Sequence, residues 1–197
     1  MNNLVVIIVL AGSLSYLFWG LGLQLSLKTH WQLAGFVTVC SLITHGLIVS
    51  KVGYGHTYVA YMCLCSLLLL LGVSDAMTYQ LPTDLLVFGL IAGLVLILLE
   101  GDSTWWMNIV VAAGVFLFIY LLGKLLRGGI GEGDAYVVAM LALYLGGMHM
   151  LVVVLVGLLF SALIGIGMMI FGGKSRKTVL PFVPFMAVAH ISLLLFW

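Results

Sequence analysis

The chain of 197 residues is 64% hydrophobic and only 7% charged, with a formal net charge of +1 and a mean hydropathy of +1.33. Soluble domains carry about one charged residue in four, so these values exclude a soluble enzyme and leave no basic surface for a nucleic-acid partner. They describe an all-α polytopic membrane protein, because no alternating apolar and polar strands occur from which a barrel could close.

Apolar runs of roughly 15 to 22 residues match a bilayer core about 30 Å thick. In chain order they predict eight spans near residues 3–24, 33–50, 57–75, 84–99, 105–123, 134–147, 151–171 and 180–197. The first run, "MNNLVVIIVLAGSLSYLFWG", lacks a basic leader region and continues past any small-residue cleavage site, so it reads as a retained span. Cys40, Cys63 and Cys65 fall inside apolar runs without a CxxC pair, which points to buried thiols and away from zinc or a disulfide framework.

Eight spans place the seven loops alternately on the two sides. Lys28 falls in the first loop, Lys124 and Arg127 in the fifth, and Lys174, Arg176 and Lys177 in the seventh; only Lys51, in the second, lies opposite. By the positive-inside rule the odd loops are cytoplasmic and both termini lie outside. Trp105, Trp106 and Trp197 fall at span ends, where aromatic rings anchor at the interface. Spans 84–99 and 134–147 are short and follow the helix-breaking stretches "YQLPT" and "GGIGEG". A 14-residue helix covers only about 21 Å, so the cytoplasmic starts of these spans are recessed, and irregular backbone at that depth predicts an inward-facing cavity.

Six acids remain to be placed. Glu100 and Asp102 belong to an outside loop, and Asp84 follows Pro82 and Thr83 at a helix start, where an acid stabilises the dipole. Asp75 ends the run "YMCLCSLLLLLGVS" and Asp134 leads directly into "AYVVAMLALYL", neither with a basic neighbour. A carboxylate within the hydrocarbon costs about 2.5 to 3.5 kcal/mol on insertion scales. The bland reading makes both interfacial and hydrated; the functional one has them meet across the cavity. Two adjoining carboxylates resist joint ionisation and share a proton. Such a pair activates water with one member and protonates a peptide carbonyl with the other, which is aspartic-protease chemistry. The glycines from Gly128 to Gly133 would let a substrate backbone approach closely, although small residues also serve helix packing. The same run matches a phosphate loop only weakly, since no strand precedes it and no Lys-Ser/Thr pair follows.

These residues resemble the type IV prepilin peptidases, membrane aspartyl peptidases of the GxGD class. Gly131-Glu132-Gly133-Asp134 matches the GxGD motif, Asp75 is followed by Leu81-Pro82 at the family's spacing, and "LPFVPF", with Pro181 and Pro184, is similar to the entry of the family's last span. The resemblance covers residues 57–197, a six-span peptidase core, with residues 1–56 as two added N-terminal spans. It implies that Asp75 and Asp134 are catalytic, that Gly131, Gly133, Pro82, Pro181 and Pro184 position substrate or motif, and that no cofactor or metal is needed. It further implies a bacterial inner membrane location with the site facing the cytoplasm, and a prepilin or pseudopilin substrate cut between a basic leader and an apolar helix. Tyr136 stands where Lys is frequent in the family, and Thr83 where Asn or Asp is usual. The link "SLKTHWQ" takes the place of the CxxC-bearing insert of bifunctional members, so cleavage is expected without N-methylation. Glycine-rich faces permit a homodimer, and membrane lipids are the other expected partners.

Two other classes compete. Intramembrane carboxylates also mark a proton- or cation-coupled transporter, though no internal repeat supports one, and a noncatalytic assembly subunit would keep the fold. A presenilin-like enzyme expects Tyr where Ser74 stands, a metalloprotease needs HExxH, and a serine enzyme built on Gly72-Val73-Ser74 has no assigned histidine. His30, His45, His56, His149 and His190 show no ligand spacing and read as loop or packing residues.

Overall fold

The computed structural model describes residues 40, 43–44, 46–48, 50, 56–100, 103, 105–126, 131–172 and 180–196. Five helices are bounded within them: α1 (His56–Thr78), α2 (Thr83–Glu100), α3 (Trp105–Leu125), α4 (Glu132–Gly172) and α5 (Val183–Phe196). The helical form follows from the apolar composition, since a chain in hydrocarbon must bond every backbone group within its own segment. Three stretches are long and apolar enough to cross a membrane: Thr57–Thr78, Trp105–Leu125 and Glu132–Phe171. Thr83–Leu99 and Val183–Leu194 are shorter apolar helices. The described residues form helices and no strands, and the chain is a membrane protein.

The bundle is organised around α1 and the first half of α4. On α1, Leu64, Leu67, Leu68 and Leu71 are buried at helical spacing. They join Val137 to Leu143 of α4, Leu85 and Leu86 of α2, and Val183, Met186 and Ala187 of α5 in one core. Helix α5 packs against both α1 and α4, whereas α3 lies along α4 and buries only Ala112. Val110, Leu117, Phe118 and Leu121 of α3 are exposed, as are Leu155, Leu158 and Leu163 of α4. Such faces suit lipid, which is as apolar as the side chains it meets.

With little hydrophobic drive between helices in lipid, close approach rests on small residues. Gly89 and Gly93 of α2, one turn apart, receive Met140 and Tyr144 of α4, which are one turn apart as well. A Cβ on Gly89 would stand 2.5 Å from Met140 Sδ, and one on Gly93 2.6 Å from the Tyr144 ring. The Tyr144 hydroxyl donates to the Gly89 carbonyl at 3.1 Å and lies 3.3 Å from Cys63 Sγ on α1. One buried hydroxyl thereby joins three helices.

Two boundaries differ from those read off the sequence. The short loop expected between spans 134–147 and 151–171 is absent: residues 148–150 are helical, and α4 departs from helical geometry only at Gly146 (φ 74, ψ 168). That region of backbone space is open essentially to glycine alone. A straight helix of 41 residues would extend about 60 Å, twice the bilayer core, and the break divides it. Helix α1 runs to Thr78 and does not stop at Asp75. The Ser74 and Thr78 hydroxyls both donate to the Gln80 carbonyl, at 3.0 and 3.2 Å, and the Tyr79 N–H closes a last helical bond to the Asp75 carbonyl at 2.9 Å. Tyr79, at φ 55, then ends the helix in the left-handed conformation. Spans 3–24 and most of 33–50 lie outside the described residues, as do all the basic residues used for sidedness except Lys124.

Candidate active site

Asp75 lies in the last turn of α1 and is 8% exposed. Its Oδ2 accepts the Val183 N–H at 3.0 Å. This donor belongs to the start of α5. The Phe182 carbonyl accepts the N–H groups of Phe185 and Met186, at 3.1 and 3.3 Å, which makes Phe182 the cap residue and Val183 the first helical one. A helix start leaves its first N–H groups without intrahelical partners. Pro184 has no N–H to satisfy, and Asp75 satisfies that of Val183 while its charge opposes the positive end of the α5 dipole. The approach is possible because Gly72, one turn earlier on α1, presents no side chain: a Cβ there would stand 3.2 Å from Pro184 Cα.

Asp134 sits in the first turn of α4. Its N–H donates to the Gly131 carbonyl at 3.1 Å, and its carboxylate folds back toward Gly131. This is one half of a capping box, in which the third helical residue reaches back to the cap; glycine has no side chain to supply the other half. The Gly-x-Gly-Asp spacing is therefore the spacing at which an acid closes on its own helix start. Gly131 leaves room for it, since a Cβ there would lie 3.3 Å from Asp134 Oδ2, and one on Gly133 would stand 2.6 Å from Leu81 Cδ1.

Both carboxylates line one cleft of about 930 Å³. Gly131, Gly133 and Pro181 share the lining, whereas Pro82 and Pro184 do not. Pro82 starts α2 instead, its carbonyl accepting the Leu86 N–H at 3.2 Å. Glu132, Tyr136, Tyr79 and Phe182 are also among the residues that line it. Ser74 holds the turn after α1 through its bond to Gln80, a structural use of the hydroxyl that a serine nucleophile would need free.

A model of the type IV leader peptidase family matches residues 62–168, more than half of the chain and inclusive of both aspartates. The chain belongs to the type IV leader peptidase family. It is 26% identical over 158 residues to the prepilin leader peptidase/N-methyltransferase of Bacillus subtilis (strain 168), a match covering 80% of this chain and 62% of that protein. It is 28% identical over 123 residues to the protein of the same description from Legionella pneumophila, covering 60% of this chain and 41% of that one. The matches thus span about three-fifths and two-fifths of these relatives. No solved structure matches the chain.

Sequence reasoning missed two arrangements. Tyr144 was read only as part of an apolar run, although its four-residue spacing from Met140 repeats that of Gly89 and Gly93. His149 and His190, read as scattered, line a second cavity of about 280 Å³, away from the aspartates. There His190 stacks on Tyr61 with ring centroids 5.8 Å apart, and its Nε2 has no hydrogen-bond partner. Among the described residues no three His, Cys, Asp or Glu side chains gather to hold a metal. Cys65 is buried, Cys63 half-buried against Tyr144, and Cys40 half-buried.

Proposed function

We propose that the chain is a membrane aspartic endopeptidase that removes the basic leader of a prepilin or pseudopilin at the cytoplasmic face of a bacterial inner membrane. The observation that carries this reading is that Asp75 and Asp134, from different helices, line one cleft together with Gly131 and Gly133. Family membership supports it, as do the printed names of the two relatives.

In the mechanism one carboxylate is ionised and takes a proton from water, while the other, protonated, donates to the scissile carbonyl. The resulting tetrahedral intermediate collapses with return of a proton to the leaving amine. Each carboxylate is held by the start of a helix: Asp75 by α5, Asp134 by its own α4. The side chains therefore need no reorganisation when substrate arrives. Gly131 leaves room for the Asp134 carboxylate to fold back on the helix start. The glycine at residue 133 is packed on Leu81, which ties the α4 start to the loop after α1 and so sets one aspartate relative to the other.

The wider reading has eight spans with both termini outside, residues 57–197 as the peptidase core and residues 1–56 as two further spans. It has cleavage without N-methylation, no cofactor, and a fold that accommodates a homodimer. Co-expression with a prepilin bearing a C-terminal tag tests the activity: mass spectrometry should find the leader removed at its junction with the apolar helix for wild type and retained for Asp134→Asn. Retention of the leader by wild type across several pilin-like substrates would overturn the peptidase reading.

A further inference from the structure

The second cavity has no part in the dyad chemistry. It lies toward the other end of the bundle, since Tyr61 in its wall is about 21 Å from Asp75 by the rise of α1. Leu145 and Met148, on either side of the Gly146 break, help to enclose it together with Leu193 and Leu194 of α5. Met148 and Val152 are exposed, whereas Val153, Leu194 and His190 are buried, so the cavity runs from an open side on α4 inward to His190. Among the described residues that line it there is no aspartate, glutamate, lysine or arginine. His149 turns its Nδ1 to its own helix, 3.1 Å from the Leu145 carbonyl. His190 is 3% exposed, its ring is stacked on Tyr61, and its Nε2 has no hydrogen-bond partner.

Buried polar atoms are paired in nearly all folded proteins, so an orphaned imidazole in a cavity wall calls for a bound group. Water suits the place poorly, because a buried water needs about two to four polar partners and this wall is mostly leucine, valine and methionine. A neutral imidazole has one donor and one acceptor nitrogen, which a hydroxyl or carbonyl oxygen can meet. At about 280 Å³ the cavity is roughly twice the volume of an apolar cavity of about 150 Å³ that takes up benzene. We propose that the cavity binds a neutral, largely apolar molecule of about two-ring size, with one hydroxyl or carbonyl oxygen bonded to the His190 ring. A molecule of that kind dissolves in the bilayer and enters past the exposed Met148 and Val152. The site stands apart from the aspartates and does not rest on the peptidase reading.

The test is equilibrium dialysis of the full-length protein in detergent micelles against 2-naphthol and naphthalene, which differ by one hydroxyl, with protein-free micelles subtracted. Wild type should bind 2-naphthol saturably. His190→Phe keeps a ring to stack on Tyr61 and removes the nitrogens. It should still bind naphthalene, which shows that the cavity is intact, and its preference for 2-naphthol should fall by about two- to tenfold from that of wild type, the worth of one hydrogen bond. Partition into micelles is common to both proteins and cancels in that ratio. Val152→Trp, at the open side, should weaken both probes. Asp134→Asn should bind both as wild type does. No saturable binding by wild type overturns the proposal, as does an unchanged preference in His190→Phe. Full binding by Val152→Trp, or loss of binding in Asp134→Asn, would put the probe somewhere other than this cavity and overturn it as well.

Discussion

Gly72→Ala is the most informative single perturbation of the fold that holds the site. The added methyl would stand 3.2 Å from Pro184 Cα and 3.4 Å from Pro184 N, both backbone atoms, so the start of α5 must move by a few tenths of an ångström. Overpacking of this kind costs about 1 to 3 kcal/mol, and alanine returns about 1 kcal/mol of helix propensity over glycine, leaving a net loss of about 0 to 2 kcal/mol. The larger effect falls on function. Val183 N–H rides on the displaced turn, and its 3.0 Å bond to Asp75 lengthens. Hydrogen bonds to charged groups are worth about 1.5 to 3 kcal/mol, and 1.36 kcal/mol is tenfold in rate, so turnover should fall about tenfold or more while the protein still accumulates in the membrane. Gly114→Ala, where nothing lies within 4 Å of the new methyl, controls for any effect of alanine in a helix. Cleavage of a leader-bearing peptide by the purified variants supplies the assay. Full activity of Gly72→Ala at normal accumulation would refute the claim that this contact holds Asp75.

Other expectations follow from the same contacts. The rate should depend on pH through two limbs: it falls in acid as the base of the pair is protonated, and in alkali as its acid ionises; a rate with only one limb would contradict a two-carboxylate mechanism. Tyr144→Phe deletes the bond to Gly89 O and should lower the melting temperature in detergent by an amount corresponding to about 1 kcal/mol, with cleavage retained by the folded fraction. Gly146→Ala forces a side chain into φ 74, ψ 168 beside Asn108 Oδ1, at a cost of about 1 to 3 kcal/mol. It should reduce thermal stability more than Gly167→Ala in the second half of α4, where nothing lies within 4 Å.

The apolar runs make the helices legible, and the two motif aspartates point to a common cavity from the sequence alone. What could not be read was how the carboxylates are held. The bond from Val183 to Asp75 joins residues 108 apart, and neither helix carries a local signal of it beyond a glycine and a proline. The capping role of Asp134 was in principle readable, since an acid three residues after a candidate cap is a known pattern, but glycine at the cap position disguises it. Hydropathy placed the break in α4 at Met148 to Met150, because histidine interrupts the run there. Backbone freedom placed it at Gly146, since a helix of apolar side chains tolerates one histidine more easily than a straight extension to twice the membrane thickness. Likewise the end of α1 was set by hydroxyl bonds from Ser74 and Thr78 and by a left-handed Tyr79, none of which alters hydropathy.

The central claim is that Asp75 and Asp134 act as one catalytic unit. Its most direct test is the turnover of a leader-bearing peptide by wild type, Asp75→Asn, Asp134→Asn and the double variant, each purified and reconstituted in liposomes. Each single substitution should reduce turnover by about 10²- to 10⁴-fold, and the double variant should be no worse than the weaker single one, since groups that act together do not lose activity additively. Normal turnover by either single variant, or losses that multiply in the double variant, would contradict the account.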